Sequence, residues 1–308
     1  MAKSDLQNPA FHDEDAARSA LEGVRWPEGP VCPHCGNLDR EKIAKGQGKA
    51  HRPGLYYCAA CNGQFTVTVG TVMERSKIPL SKWLLAMHLM GASKKGMSAL
   101  QLQRMLGVTY KSAWFLCHRI REAMAPASCG PIGGPNKVVE SDETYVGGKA
   151  KNRAHAKKAP KKMAVLTLTE RDGESRSFHV ANVKATTLRE TIVKVASRES
   201  HLMTDELGSY QTIGGQFANH STVNHSAGEY ARLGGYIHIN TSEARFSLMK
   251  RAVIGAHHSV SEAHLSRYLA EWDFKWNTRQ INDGERVALI AKGIEGKRLT
   301  YRPTDGNL

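Results

Sequence analysis

Three acids, a lysine and four cysteines are the residues of this sequence whose types and spacing could do chemistry. Asp142 lies in VVESDETYVGGK, a strand-like string that runs into a Gly-Gly turn where backbone can approach a ligand closely. Asp205 ends a second such string, MTDELG. Glu243 stands in NTSEARFSLMKR, with Lys250 two helical turns further on the same face, Arg251 beside it and Asn240 three residues before. The acids are separated by 62 and then 37 residues. Two strand-end aspartates and a helix glutamate can hold two hard cations about 4 Å apart, one activating an attacking oxygen and the other stabilising the leaving oxygen of a phosphoryl transfer. A lone acid at a strand end more often caps or faces solvent, and a helix lysine is ordinarily just exposed, so spacing leaves both readings open. Asp142 and Asp205 each have an acidic neighbour, Glu143 and Glu206. Alternation along a strand lets only one of each pair face the site, whereas Glu140 shares the face of Asp142 and either assists or forms a salt bridge.

Cys32-Pro-His-Cys35 and Cys58-Ala-Ala-Cys61 are two C-x2-C pairs with 22 residues between them. Each turn presents two thiolates, and two turns close a tetrahedron around one structural zinc ion with no open position. A disulfide pair or four unrelated thiols are the alternatives, and His34 and His51 stand near enough to substitute as ligands. Cys117, on an apolar helical face, is expected to be a small core residue, and Cys129 has no partner motif.

Charge narrows the partner. Lys and Arg number 43 against 29 acids, a net charge of +14 that points to a polyanion, nucleic acid ahead of an acidic membrane. From Arg75 to Arg121 there are nine bases and no acid, and from Lys149 to Lys162 seven bases and no acid; a merely solvated face or loop is the alternative for each. Within the first block, residues 98–106 read as a helix, Gly107-Val108 as a turn, and residues 109–121 as a second helix capped by Thr109. This helix-turn-helix pattern sets Tyr110 and Lys111 at the end that meets base edges or phosphates, with Arg119 further along. No run of apolar residues approaches the 18 to 20 of a spanning helix, and the N-terminus has no secretory-signal order. The expected setting is cytoplasmic, with no membrane partner.

The elements that must position these residues follow from patterning. Residues 1–25 are an acidic extension, 26–72 a zinc ribbon, 73–125 the helical DNA-binding region and 126–136 a linker rich in Pro, Gly, Ser and Ala. Residues 137–280 form a mixed-sheet domain, with strands expected at 137–146, 162–169 and 175–183, a helix at 186–197 and a strand at 201–205. Beyond Asn240 the pattern is helical, and Leu265, Tyr268, Leu269, Trp272 and Trp276 make a stripe expected to be core rather than a base-stacking platform. Residues 281–308 read as a weakly ordered tail.

The order of a four-cysteine ribbon, a helix-turn-helix, ESDETYVGGK, TDELGSY and HINTSEARFSLMKRAVIGAHHSVSEAHLSRYLAEWDFKWNTR resembles the bacterial insertion-sequence transposases with an acidic triad, over roughly residues 26–279. The resemblance implies a ribonuclease H-like catalytic domain. It also implies two Mg2+ or Mn2+ ions on Asp142, Asp205 and Glu243, with Asn240 as an auxiliary because this third position is sometimes an asparagine. Lys250 and Arg251 would hold a terminal DNA phosphate, and Lys149 would open a basic loop gripping element-end or target DNA. The partners implied are double-stranded DNA and further copies of the chain, since two ends must be paired by a homodimer or larger assembly. A non-catalytic DNA-binding regulator and a nuclease or resolvase without strand transfer are the rival classes.

Overall fold

The structure is a computed structural model that describes residues 5–126, 130–148 and 161–300. It divides into two units, Met1–Pro126 with Ile281–Leu308, and Ala127–Gln280.

In the first unit, Asp13 caps α1 (Glu14–Arg25) by accepting from the Ala16 N–H. The next unit of structure borrows from it: α2 (Leu80–Ala92) begins after Pro79, which has no side chain to offer as a cap. Glu14 of α1 supplies that cap instead, its carboxylate accepting from the backbone of Leu80 at 2.9 Å and Ser81 at 3.1 Å. β1 (Ile43–Lys45), β2 (Tyr56–Cys58) and β3 (Gly63–Phe65) form an antiparallel sheet. Trp26 stands edge-on to the rings of Tyr56 and Phe65, at 5.4 and 5.8 Å. α3 (Ala99–Leu106) and α4 (Tyr110–Met124) are joined at Gly107, whose φ of +61° is the left-handed conformation that ends a helix. Thr109 caps α4 through the Ser112 N–H at 3.2 Å.

The sequence reading of residues 281–308 as a weakly ordered tail is corrected for the described part, residues 281–300. Residues Asp283–Lys292 form α9, opened by a reciprocal capping box between Asn282 and Glu285 and packed against α1, α2 and α4. Lys297 then donates to the carbonyls of Glu122 and Ala125 at the C-terminal end of α4, where a cation opposes the helix dipole.

The second unit is built on a five-stranded mixed sheet, ordered β6-β5-β4-β7-β8. β4 (Val138–Gly147), β5 (Lys162–Glu170) and β6 (Ser175–Val180) run antiparallel in sequence. β7 (His201–Asp205) pairs parallel with β4, and β8 (Asn219–Val223) parallel with β7. β5 is buried along nearly its whole length because both faces of the sheet are covered, so residues 163–166 are an unbroken apolar run, and the buried Thr167 and Thr169 are satisfied by the hydroxyls of Ser177 and Ser175. On one face Val139, Leu166 and Leu168 pack with Leu188 and Ile192 of α5 (Ala185–Val195). On the other, Val146, Met163 and Val165 meet Phe246 and Met249 of α7 (Asn240–Ala252) and Leu265, Leu269 and Trp272 of α8 (Glu262–Asn277). A short α6 (Gln211–Gly214) precedes β8. Ile132, within the stretch read as a linker, is instead buried in the first of these cores and bonded to Val195 and Ser197. Arg245 crosses the second face to pair with Asp273, whose carboxylate also accepts from the backbone and hydroxyl of Ser177 at 2.8 and 2.9 Å.

Candidate active site and zinc centre

The register of the parallel pair decides where the aspartates go. Val138 pairs with His201, Val139 with Leu202 and Glu140 with Met203. Carrying that register two residues on sets Asp142 level with Asp205, on the same face of neighbouring strands. β8 is in step, with Asp205 opposite Val223, so the chain leaving β8 passes the same end of the sheet.

The electrostatics of these acids is in keeping with that placement. The Asp142 carboxyl is pushed up to about 7, by burial first, then by the charges of Glu143, Asp205 and Glu243, against the Glu143 N–H that donates to it at 2.8 Å. Asp205 is also raised by burial and by Glu206, against the Leu207 N–H at 3.0 Å and the positive field of His225. Glu243 sits in the first turn of α7 and is 48% exposed, with Oε1 3.7 Å from His225 Nε2. Burial raises Glu143, which points to the opposite face and accepts from the hydroxyl of the fully buried Tyr210. Asn240, the first residue of α7, engages His238 Nδ1 through its backbone N–H at 3.3 Å.

Glu140 is wholly buried and ties the strand to that helix. It accepts from Arg171 Nε and Nη2 at 3.1 and 2.9 Å, from Thr241 Oγ1 at 2.9 Å and from the Ser242 N–H at 3.0 Å. It is therefore the acceptor at the N-terminus of α7, whose own N-cap residue, Ile239, has no polar side chain. Arg171 also donates to the carbonyls of Tyr236 and His238, so the approach to α7 is pinned from the turn after β5.

The residues fit hard cations by donor chemistry: three carboxylates that repel one another and raise each other's affinity for positive charge. Among the described residues, however, the four cysteines are the group whose ligand atoms all lie within 4.8 Å, and the acids converge in charge without reaching that spacing. The thiols fit zinc in geometry. Cys32 and Cys61 Sγ are 3.6 Å apart and Cys35 and Cys58 Sγ 3.8 Å, close to the roughly 3.8 Å edge of a tetrahedron with Zn–S bonds of about 2.3 Å. Asn37 Nδ2 approaches the Cys58 sulfur at 3.7 Å. Burial raises Cys58, but the N–H groups of Cys61 and Ala60 and the neighbouring thiols outweigh it and bring it down to about 7. Burial and the Cys35 thiol push Cys61 up to about 12. Without a cation the cluster holds its charge unevenly.

The remaining residues singled out in the sequence lie elsewhere. Lys250 stands on α7 with its ammonium 6.0 Å from the Phe246 ring, and Arg251 Nε donates to Ser247 O at 3.3 Å. Tyr110 and Lys111 open α4 in the first unit, Tyr110 with half its surface exposed. Arg119 instead directs its guanidinium to the carbonyls of Leu299 and Glu74, at 3.2 and 3.3 Å, and over the Phe115 ring. Cys117 is buried, as expected. Lys149, most of its basic loop, and Cys129 lie outside the described residues. Sequence reasoning missed Arg171, Tyr210 and His225, for which local pattern offers no signal.

Residues 133–277 match the ISXO2-like transposase domain and residues 12–64 the transposase zinc-ribbon domain. The chain is 29% identical over 283 residues, 86% of its length and 91% of the relative's, to a protein of Halobacterium salinarum described as an uncharacterized protein in transposable element ISH50. The site and the ribbon thus belong to a transposase. The chain is a member of the insertion-sequence transposases that carry an ISXO2-like domain behind an N-terminal zinc ribbon. Among the described residues no helix is long and apolar enough to cross a membrane.

Proposed function

We propose that the chain binds the ends of its element, hydrolyses DNA there and joins the freed 3′ hydroxyl to target DNA. The observation that carries this reading is the shared register of Asp142 and Asp205 on adjacent parallel strands, with the charge of Glu243 reaching Asp142 from α7. The strand order β6-β5-β4-β7-β8, three antiparallel strands followed by two parallel ones, supports a ribonuclease H-like catalytic domain. Asp142, Asp205 and Glu243 would hold Mg2+ or Mn2+, with Asn240 as an auxiliary. Two such ions, when bound, supply the activation of an attacking oxygen and the neutralisation of the leaving one. Glu140 and Arg171 hold the N-terminus of α7 so that Glu243 faces the aspartates. Lys250 and Arg251, further along α7, are exposed cations that suit a DNA phosphate, whereas Arg245 is buried against Asp273. One zinc ion on Cys32, Cys35, Cys58 and Cys61 stabilises the ribbon. Tyr110 and Lys111 lead α4 into the major groove, and Lys149 belongs to the basic loop that follows β4. Arg119 supports α4 by packing. Two element ends require at least a dimer, working in the cytoplasm on chromosomal or plasmid DNA.

The test is plasmid cleavage and joining on DNA carrying the flanks of this gene, with Mg2+ or Mn2+, comparing wild type with Asp205→Ala. Metal-dependent 3′-end cutting and joined product, both lost in the variant, are expected. Binding of the flanks with no metal-dependent chemistry would favour a DNA-binding regulator. Cutting without joining would favour a nuclease.

A further inference from the structure

The chain leaving β8 carries a histidine at the very end of the sheet where the acids meet. His225 opens the single turn His225–Ala227. Its ring is a quarter exposed, yet Nε2 is out of solvent and has no hydrogen-bond partner. That atom lies 3.7 Å from Glu243 Oε1, and the same ring is close enough to Asp205 to offset part of the burial acting on it. Buried polar atoms are normally hydrogen-bonded, so a buried nitrogen that stands 3.7 Å from one carboxylate without a hydrogen bond points to a contact completed in the working state.

The turn is built to hold the ring there. Glu206, the acidic neighbour of Asp205, accepts from the backbone of His225 and Ser226 at 3.0 Å each and from the Ser226 hydroxyl. The Ser226 hydroxyl first, and with it backbone N–H groups that include those of His225 and Ser226, hold the Glu206 carboxyl down to about 2, so it remains a charged acceptor. Asn224 closes the turn through the Ala227 N–H at 3.0 Å. One of these bonds uses the backbone N–H of His225 and none uses its imidazole. The ring, which packs tilted against Tyr230 at 5.6 Å, takes no part in the turn's own hydrogen bonds, so its removal leaves them in place.

We infer that His225 is a positioning residue whose Nε2–H takes up the Glu243 carboxylate and fixes it toward Asp142 and Asp205 as the third metal ligand. Glu243 is half exposed and its own side chain makes no hydrogen bond among the described residues, so without such a partner its carboxylate has several rotamers to lose on binding a cation. A hydrogen bond from an adjacent group to a ligating carboxylate commonly raises metal affinity by roughly 10- to 100-fold. The gap to a hydrogen bond is under about 1 Å, and the glutamate side chain is exposed enough to turn. The inference rests on the proposed acidic metal site and goes beyond it by assigning the group that orders the third acid.

The experiment is Mn2+ binding to the full-length, zinc-loaded chain, followed by the loss of the free Mn2+ electron paramagnetic resonance signal, with melting temperature recorded for each variant. Asp205→Ala is expected to abolish the tight binding. His225→Ala should weaken it about tenfold with the melting temperature unchanged. His225→Gln, whose amide nitrogen reaches the position of Nε2, should stay close to wild type, whereas His225→Asn, which reaches only as far as Nδ1, should behave like the alanine variant. If Asp205→Ala weakens binding and His225→Ala does not, His225 has no such role and the metal site stands. Equal losses with alanine and glutamine also overturn the inference, because the hydrogen bond would then not be what matters. Absence of saturable Mn2+ binding in wild type, or binding indifferent to Asp205→Ala, overturns the metal site and this inference with it.

Discussion

Replacing Glu140 by alanine tests whether the third acid is positioned by the strand that carries the first. Glu140 is wholly buried and accepts four hydrogen bonds, two from Arg171 and two from the first turn of α7. Removing one partner of a buried ion pair costs about 3–5 kcal/mol, because the other charge remains without compensation. Arg171 keeps its bonds to the carbonyls of Tyr236 and His238 and retains 19% exposure, which places the expected loss near the lower end, about 3 kcal/mol. For a domain of this size that is a fall in melting temperature of roughly 6–12 °C. The assay is thermal unfolding of the zinc-loaded chain, reading the transition of the second unit, alongside end-DNA binding and cleavage. Cleavage should fall with α7 loosened while binding of end DNA persists. Glu140→Gln keeps an acceptor for Arg171 but turns an amide N–H toward the donors of Thr241 or Ser242, so its cost is smaller, about 1–3 kcal/mol. A Glu140→Ala protein that melts within a degree or two of wild type, or a glutamine variant worse than the alanine one, would refute the reasoning.

Other consequences are equally open to measurement. Removing zinc with a chelator, or Cys58→Ser, should abolish amide protection in β1–β3 and leave the unfolding transition of the second unit where it was; hydrogen exchange reports both. Gly293→Ala would set a methyl 2.1 Å from the carbonyl oxygen of Ala123, so it should destabilise the first unit by about 1–3 kcal/mol in denaturant unfolding, which a loosely attached tail would not do. Arg245→Met leaves the buried Asp273 carboxylate with only Ser177 as partner and should cost about 3 kcal/mol or more, with part regained in Arg245→Met/Asp273→Leu; full additivity of the two single changes would show that the pair is not coupled.

Where a signal was local, the sequence carried it. The two C-x2-C turns bring their sulfurs together because each pair is made by one loop, and the strands carrying Asp142 and Asp205 announce themselves by apolar runs that must be buried, although Asp142 lies midway along its strand rather than at the end. β8 escaped notice because Asn219, His220, Ser221 and Thr222 are polar and it lies at the edge of the sheet, half covered. α9 was hidden by the Gly and polar residues around it, although Asn282 and Glu285 already stand at capping-box spacing. Arg119 belongs to a basic block and so suggested DNA, but its guanidinium meets carbonyls contributed by residues 45 and 180 positions away. The tasks of Glu140 and His225 depend in the same way on which distant element each one meets, α7 in both cases.

The doubled acids at Asp142-Glu143 and Asp205-Glu206 look redundant in the sequence, and their separation in space explains how one end of a sheet can concentrate charge without flying apart. Alternation sends Asp142 toward α7 and Glu143 to the hydroxyl of Tyr210 on the opposite face. At the end of β7, Asp205 keeps a single bond to the Leu207 N–H while Glu206 turns away to hold the His225 turn. The contrast is plain in the second pair, where donors hold Glu206 down while Asp205 is raised; in the first, burial raises both, but Glu143 is engaged by Tyr210 while Asp142 faces α7. That asymmetry has a stability cost in the absence of cations and a function in their presence: carboxylates already short of donors are the ones that a hard cation binds most readily. If it is the organising feature of the site, Glu206→Gln should weaken Mn2+ binding through His225 without adding a ligand, whereas Glu143→Gln should leave Mn2+ affinity within about threefold of wild type. A Glu143→Gln protein that loses Mn2+ as completely as Asp205→Ala would mean that Glu143, not its neighbour, faces the ions.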